Sequence, residues 1–144
     1  MIDARGPRFG AAISTVVLAG AIALIDTPIG TGLLVWQTVV FALGALVGLR
    51  AQPYGILFRR VMQPRLPGPV ILESAAPPRF AQAVGLGFSA TGLLLVVVGA
   101  PFAASMVLAL ALAAAFLNAA FNFCLGCEMY LSVARVRAVI GARR

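Results

Sequence analysis

Residues 80–123 read FAQAVGLGFSATGLLLVVVGAPFAASMVLALALAAAFLNAAFNF, and no ionisable side chain occurs anywhere in that run. A surface helix of a soluble protein carries its apolar residues in a stripe; this run is apolar on every side, which suits lipid. Gly99-Ala100-Pro101 interrupts it near the midpoint, where Pro and Gly break helices. The run therefore reads as two spanning helices, 80–99 and about 102–123. Each is near the roughly 17–25 residues that cross about 30 Å of hydrocarbon.

The amino-terminal half has the same plan. Phe9 to Ile25 and Gly32 to Leu49 carry no charge and are joined by Asp26-Thr27-Pro28-Ile29-Gly30-Thr31, in which Thr27 can cap the second helix. The expectation is an all-α, polytopic membrane protein: four transmembrane helices at 9–25, 32–49, 80–99 and 102–123, arranged as two helical hairpins in one domain over 1–144. Composition agrees, since 62% of the residues are hydrophobic and 10% are charged. Soluble domains carry about a quarter charged residues. A basic start followed by an apolar core is also the pattern of a secretory signal peptide. The first stretch is slightly long for a signal core, and its removal would leave three spans and spoil the charge asymmetry, so a spanning helix is the preferred reading.

Between the hairpins, residues 50–79 hold five arginines and six of the nine prolines, a composition that opposes both spanning and long helices. All eleven basic residues are Arg, and they cluster at 5–8, 50–79 and 135–144, never in the two hairpin turns. With four spans these three regions share one side of the membrane. The positive-inside rule makes that side cytoplasmic, with both chain ends on it. The formal net charge of +7 is thus a topology signal. The charge is divided among three membrane-flanking stretches without interleaved aromatics, which argues against nucleic acid as a partner. Phe58-Arg59-Arg60-Val61-Met62, followed by Arg65, mixes apolar and basic residues as a short interfacial segment would.

The two halves resemble each other. Pro7-Arg8-Phe9 opens the first span and Pro78-Arg79-Phe80 the third, 71 positions later; at the same offset Gly55 falls on Gly126. A parallel repeat of two hairpins is expected, with Arg8 and Arg79 at the membrane interface. Trp36 and Tyr130 are candidate headgroup anchors. Gly44 and Gly48 form a GxxxG step, and Gly85, Ser89 and Gly92 align small residues in the third span, features that serve packing inside one bundle as well as homo-oligomerisation.

One constellation carries chemistry: Cys124-Leu125-Gly126-Cys127. Two thiols at this spacing on a helix lie about 5 Å apart at their α-carbons, close enough for a reversible disulfide or a soft metal. Read as the carboxyl end of the fourth span, the site has a helix dipole that works against thiolate formation. A compartment that keeps thiols reduced disfavours a permanent structural bridge, and tight packing competes with function as the reason for the pair. There is no His, and the acidic residues are Asp3, Asp26, Glu73 and Glu128, so neither a tetrahedral metal site within one chain nor a cofactor is called for. Asn118 and Asn122, one turn apart in the fourth span, are expected to make helix–helix polar contacts, with Gln37, Thr38 and Thr91 as partners. On an ideal helix they point well away from the cysteines, and a shared site would need the helix to break at Gly126.

Arg5-Gly6-Pro7-Arg8-Phe9 before the first span, Pro53-Tyr54-Gly55 after the second, Pro78-Arg79-Phe80 before the third and Asn118 through Cys127 together resemble the bacterial membrane proteins of domain of unknown function 4395. The resemblance covers nearly the whole chain. It implies a four-helix protein of the bacterial inner membrane and supplies no mechanism. No P-loop or hydrolase signature is present, which disfavours ordinary enzyme classes. Three functions stay open. The first is a thiol/disulfide or sulfur-relay component that uses Cys124 and Cys127 with a thiol-active partner. The second is a noncatalytic assembly protein, and the third a small oligomeric carrier.

Overall fold

A computed structural model describes residues 1–142. Arg143 and Arg144, part of the third basic cluster, lie outside the described residues. The chain is all-α apart from a two-residue strap, and four of its helices are long and apolar enough to cross a membrane. These are α1 (Arg5–Ala23), α2 (Pro28–Ala42, running on through a wider turn over Leu43–Val47), α4 (Ala76–Val97) and α5 (Pro101–Phe121). This is a multi-pass membrane protein.

Each span begins earlier than hydropathy suggests, because proline is accepted in the first helical turn and carries the helix back past the apolar block. Pro28 opens α2, Pro77 and Pro78 lie in the first turn of α4, and Pro101 opens α5. Thr27 caps α2 as expected, its Oγ1 accepting from the Gly30 N–H at 3.2 Å. The second span ends at Gly48, whose φ of +127° no residue with a Cβ adopts without strain. Gly48 is therefore a helix terminator with nothing packed on it, whereas Gly44 receives the Gln82 side chain. The GxxxG step is not one packing surface. Gly85 and Gly92 do pack, against Phe41 and Leu108 of the same bundle.

The central core is made by Leu18 and Ala21 of α1, Leu34 and Phe41 of α2, and Leu108 and Ala111 of α5. The other apolar side chains on the four spans are nearly all exposed or half-buried, as lipid-facing residues would be.

The middle connection is more structured than a surface loop. After Gly48 the chain turns and forms α3 (Pro53–Leu57), which continues irregularly to Arg65. Tyr54 and Phe58 are buried, 5% and 3% exposed, against the first turns of α1. Arg59, Arg60 and the stretch Pro67–Glu73 stay exposed. At its end β2 (Leu72–Glu73) pairs antiparallel with β1 (Ile2–Asp3). Asp3 fastens this strap. It accepts from Arg5 Nε and Nη2 at 3.1 and 2.9 Å, from the Arg5 backbone N–H at 3.0 Å, and from Gln63 Nε2 at 3.2 Å. The Arg5 side chain holds the Asp3 carboxyl below the ordinary carboxylate value.

The repeat is visible in space. α1 starts at Arg5 and α4 at Ala76, the same 71-residue offset. Arg8 Nε and Nη2 donate to the carbonyls of Ala119 and Ala120 at 3.0 and 3.5 Å, closing the carboxyl end of α5. Arg79 does the same across the pseudo-twofold, donating to Ala45 and Leu46 at the end of α2 at 2.7 and 2.8 Å. Each half thus caps the other half's second span. A guanidinium is well suited to this, because it satisfies orphan carbonyls and places positive charge at the negative end of the helix dipole.

Candidate functional site

α5 stops at Asn122, which adopts the left-handed conformation (φ 56°) that asparagine tolerates better than most residues. A new helix, α6 (Leu125–Gly141), starts three residues later with Cys124 as its N-cap. The helix does break, two to four residues before Gly126, and this reverses the electrostatics of the cysteine pair read from a continuous span. The cysteines stand at the amino end of α6 rather than the carboxyl end of a span. There the dipole and free N–H groups favour negative charge. The Cys127 N–H donates to Cys124 Sγ at 3.3 Å.

The two cysteines are joined as a disulfide, with α-carbons 5.2 Å apart. The reduced, unbridged pair expected from the sequence is thus seen here in its closed form. When the pair is open, the N-cap position and the Cys127 N–H favour thiolate at Cys124. Both residues are part-buried, and Glu128, in the first turn of the same helix, is exposed.

α6 is seated by Gly126. A Cβ there would come 2.7 Å from Ala81 Cα and Cβ, so only glycine lets the start of α6 lie directly on α4. The Tyr130 ring, expected as a headgroup anchor, packs 5.8 Å from Phe80 and holds the next turn of α6 to the start of α4. The first half has a similar pair, Phe9 with Phe58 at 5.7 Å, although at the 71-residue offset Phe58 falls on Met129, one position before Tyr130.

Beside the disulfide lies a partly open cavity of about 360 Å³, lined from all four spans and the start of α6. Its walls are mainly apolar and small, including Ala81, Gly85, Ala111, Ala114 and Ala115, with Phe88 and the exposed Leu110 also in the lining. Cys124 forms part of the wall, as do Asn118, Gln82 and Ser14; Cys127 does not. Gln82 Oε1 accepts from Gln52 Nε2 at 2.9 Å. The Asn118 side chain makes no hydrogen bond among the described residues.

Over residues 2–135 the sequence matches the family described as Domain of unknown function (DUF4395). The chain belongs to this family. No curated protein matches it, and neither does any solved structure. The DUF4395 match spans both hairpins, the helix break and the cysteine pair.

The other residues singled out in this DUF4395 chain are distributed differently from expectation. Asn118 and Cys124 both line the cavity, while Asn122 is exposed and ends α5, and neither amide side chain makes a hydrogen bond among the described residues. Their expected partners are engaged elsewhere: Thr38 Oγ1 donates to Leu34 O and Thr91 Oγ1 to Gly87 O. Gln37 is fully buried, donating to Ser14 Oγ at 3.0 Å and accepting from Tyr54 OH at 3.0 Å. Trp36, expected as an anchor, sits about 12 Å along α2 from its start. Its Nε1 donates to Tyr54 OH at 2.9 Å. Sequence reasoning passed over Ser14 and Gln82, although each is a polar side chain inside an apolar span, the signal that drew attention to Gln37.

A second cavity, about 400 Å³, lies beneath the β1–β2 strap, between Phe58, Arg50, Arg59 and Gln52. It is remote in sequence and chemistry from the cysteines.

Proposed function

We propose that this protein is a membrane thiol/disulfide component whose working group is the Cys124–Cys127 pair. The observation that carries the reading is the position of Cys124 as N-cap of α6, its sulfur receiving the Cys127 N–H. A helix start lowers a thiol's pKa, and a second thiol within bonding distance allows a mixed disulfide with a partner to be resolved. In one cycle a partner dithiol is oxidised as the Cys124–Cys127 bond is reduced, and two electrons and two protons pass to the pair. The basic clusters, with Arg8 and Arg79 near the ends of the spans, support a reading in which this chemistry and both chain ends face the cytoplasmic side of a bacterial inner membrane.

The test uses intact membranes and a mass-tagged maleimide applied before and after an oxidant pulse. The wild type is expected to cycle between two free thiols and none, and Cys127→Ser to trap a partner on Cys124. Thiols that remain unreactive throughout, with both Cys→Ser variants functioning as wild type, would sink the reading and leave the cysteines as packing residues. A noncatalytic assembly role draws on α6, where residues 131–142 are exposed and include Val133, Val136, Val139 and Ile140. It predicts that shortening α6 matters and that the cysteines do not.

A further inference from the structure

The cavity beside Cys124 extends well beyond what exchange with a soluble partner requires. Phe88, in its wall, lies about 12 Å along α4 from Phe80, where the apolar run begins, which is well inside the roughly 30 Å of hydrocarbon. The cavity therefore connects the disulfide to the depth of the membrane that lipid-soluble molecules occupy. Its volume of about 360 Å³ falls within the roughly 300–1,000 Å³ of small-molecule pockets. Its lining is that of such a pocket, largely apolar with few polar groups: the Asn118 and Gln82 amides and the Ser14 hydroxyl. The Asn118 amide, half-buried near the end of α5, makes no side-chain hydrogen bond among the described residues and is available to a bound molecule.

The chain has two cysteines in all, so a dithiol formed at Cys124–Cys127 has no second dithiol in the same chain to which its electrons can pass. We propose that the cavity binds the head group of a membrane quinone, which reoxidises the Cys124–Cys127 dithiol. This rests on the thiol reading above and names its electron acceptor. Two S–H bonds break and one S–S bond forms. The two electrons released reduce the quinone, and the two protons from the thiols complete the two O–H bonds of the quinol. The Cys124 sulfur faces the ring, and Cys127, outside the cavity wall, closes on Cys124 as the electrons and the two thiol protons leave. The Asn118 NH2 donates to a quinone carbonyl. So does the Gln82 NH2, whose Oε1 is already engaged by Gln52. Both donors gain strength as charge grows on the oxygens.

The test uses the full chain in phosphatidylcholine nanodiscs, reduced, freed of reductant and mixed without oxygen with decyl-ubiquinone, a fully substituted quinone that thiols do not alkylate. Quinone absorbance and mass-tagged thiols are read together, and each variant's rate is divided by its own rate of exchange with a soluble aromatic disulfide. The wild type is expected to form one quinol per disulfide. Ala114→Leu, which fills the cavity, is expected to lower the ratio about tenfold or more, as loss of a pocket's fit does. Should that variant fail to fold, Asn118→Leu, which keeps the side-chain volume and removes the donor, gives the same readout. A wild type that exchanges with the soluble disulfide but leaves the quinone oxidised overturns the quinone site and spares the thiol reading, the cavity then holding only lipid. An unchanged ratio in the filled variant overturns it too. A pair that exchanges with neither reagent removes both.

Discussion

The two halves of this protein are built on one plan and finish it in opposite ways. Each has a span opened by Pro-Arg-Phe, a second span, a backbone break and a following helix that packs under the first span. In the first half the break is followed by Tyr54, whose hydroxyl enters the bundle and bonds Gln37 and Trp36, with Ser14 completing the chain. At the 71-residue offset the second half has Gly85, Val107, Leu108 and Leu125 in place of Ser14, Trp36, Gln37 and Tyr54. It fills no corresponding space with polar side chains and carries a cavity and a disulfide instead. The first half is thus a locked copy and the second an open one. In lipid, a fully satisfied polar network rigidifies a bundle, whereas small apolar side chains leave room.

The comparison can be broken at several points. The largest effect is expected at the two helix seats. Gly126→Leu drives a side chain into the Ala81 backbone and Gly55→Leu into the Leu49 carbonyl, each costing about 3 kcal/mol. Thermal unfolding in detergent, followed by circular dichroism, should show similar losses if the seats are equivalent. A large loss at one and none at the other would dismantle the repeat.

Next comes the lock itself. Gln37→Leu leaves the buried Ser14 and Tyr54 hydroxyls without their partner, at about 2 kcal/mol. Adding Tyr54→Phe and Ser14→Ala should restore part of that stability, the half-exposed Trp36 Nε1–H being the one group then left without its partner. A triple variant less stable than the single one would mean that the network does more than satisfy itself.

Smaller effects belong to the reciprocal caps. Arg8→Gln and Arg79→Gln should each lose about 1 kcal/mol, since the bonds are charge-assisted but solvent-exposed. Melting curves of the pair would sharpen the pseudo-twofold if the losses match within error. The smallest effect is the strap's pH response. The folded Asp3 carboxyl lies below the ordinary value of about 3.9. Its contribution is therefore fully present above that pH and is lost as pH falls through the lower folded value. Amide exchange at Ala4, whose N–H donates to Ile71 O, should be insensitive to Asp3 ionisation between pH 5 and 8 after correction for intrinsic exchange, expectations that follow from that value. Protection should fall only in strong acid, and Asp3→Asn should abolish the dependence.

Much of this was legible in the chain and some was legible only in part. The Asn122-Phe123-Cys124 break could have been read, since asparagine is the residue after glycine that most often ends a helix left-handed. It was obscured because the apolar run continues through it to Phe123. Asn118 illustrates the opposite problem. Its amide was correctly marked as unusual in a span, but nothing local distinguishes an amide that grips another helix from one that faces a cavity.

The amino-acid sequence by itself determined that the chain is all-α, that four helices suit lipid, and that two similar hairpins make the whole. Transfer from water to hydrocarbon is a sum over neighbouring residues, so blocks of apolar side chains declare it without reference to the rest of the fold. Only the tertiary structure decided that Cys124 begins a helix instead of ending one, that each half caps the other, and that Asn118 and Cys124 share a cavity. Those outcomes depend on close approach between segments far apart in the chain, such as Gly126 on Ala81 and Arg8 on Ala119, and contact of that kind is set by packing rather than by any local preference.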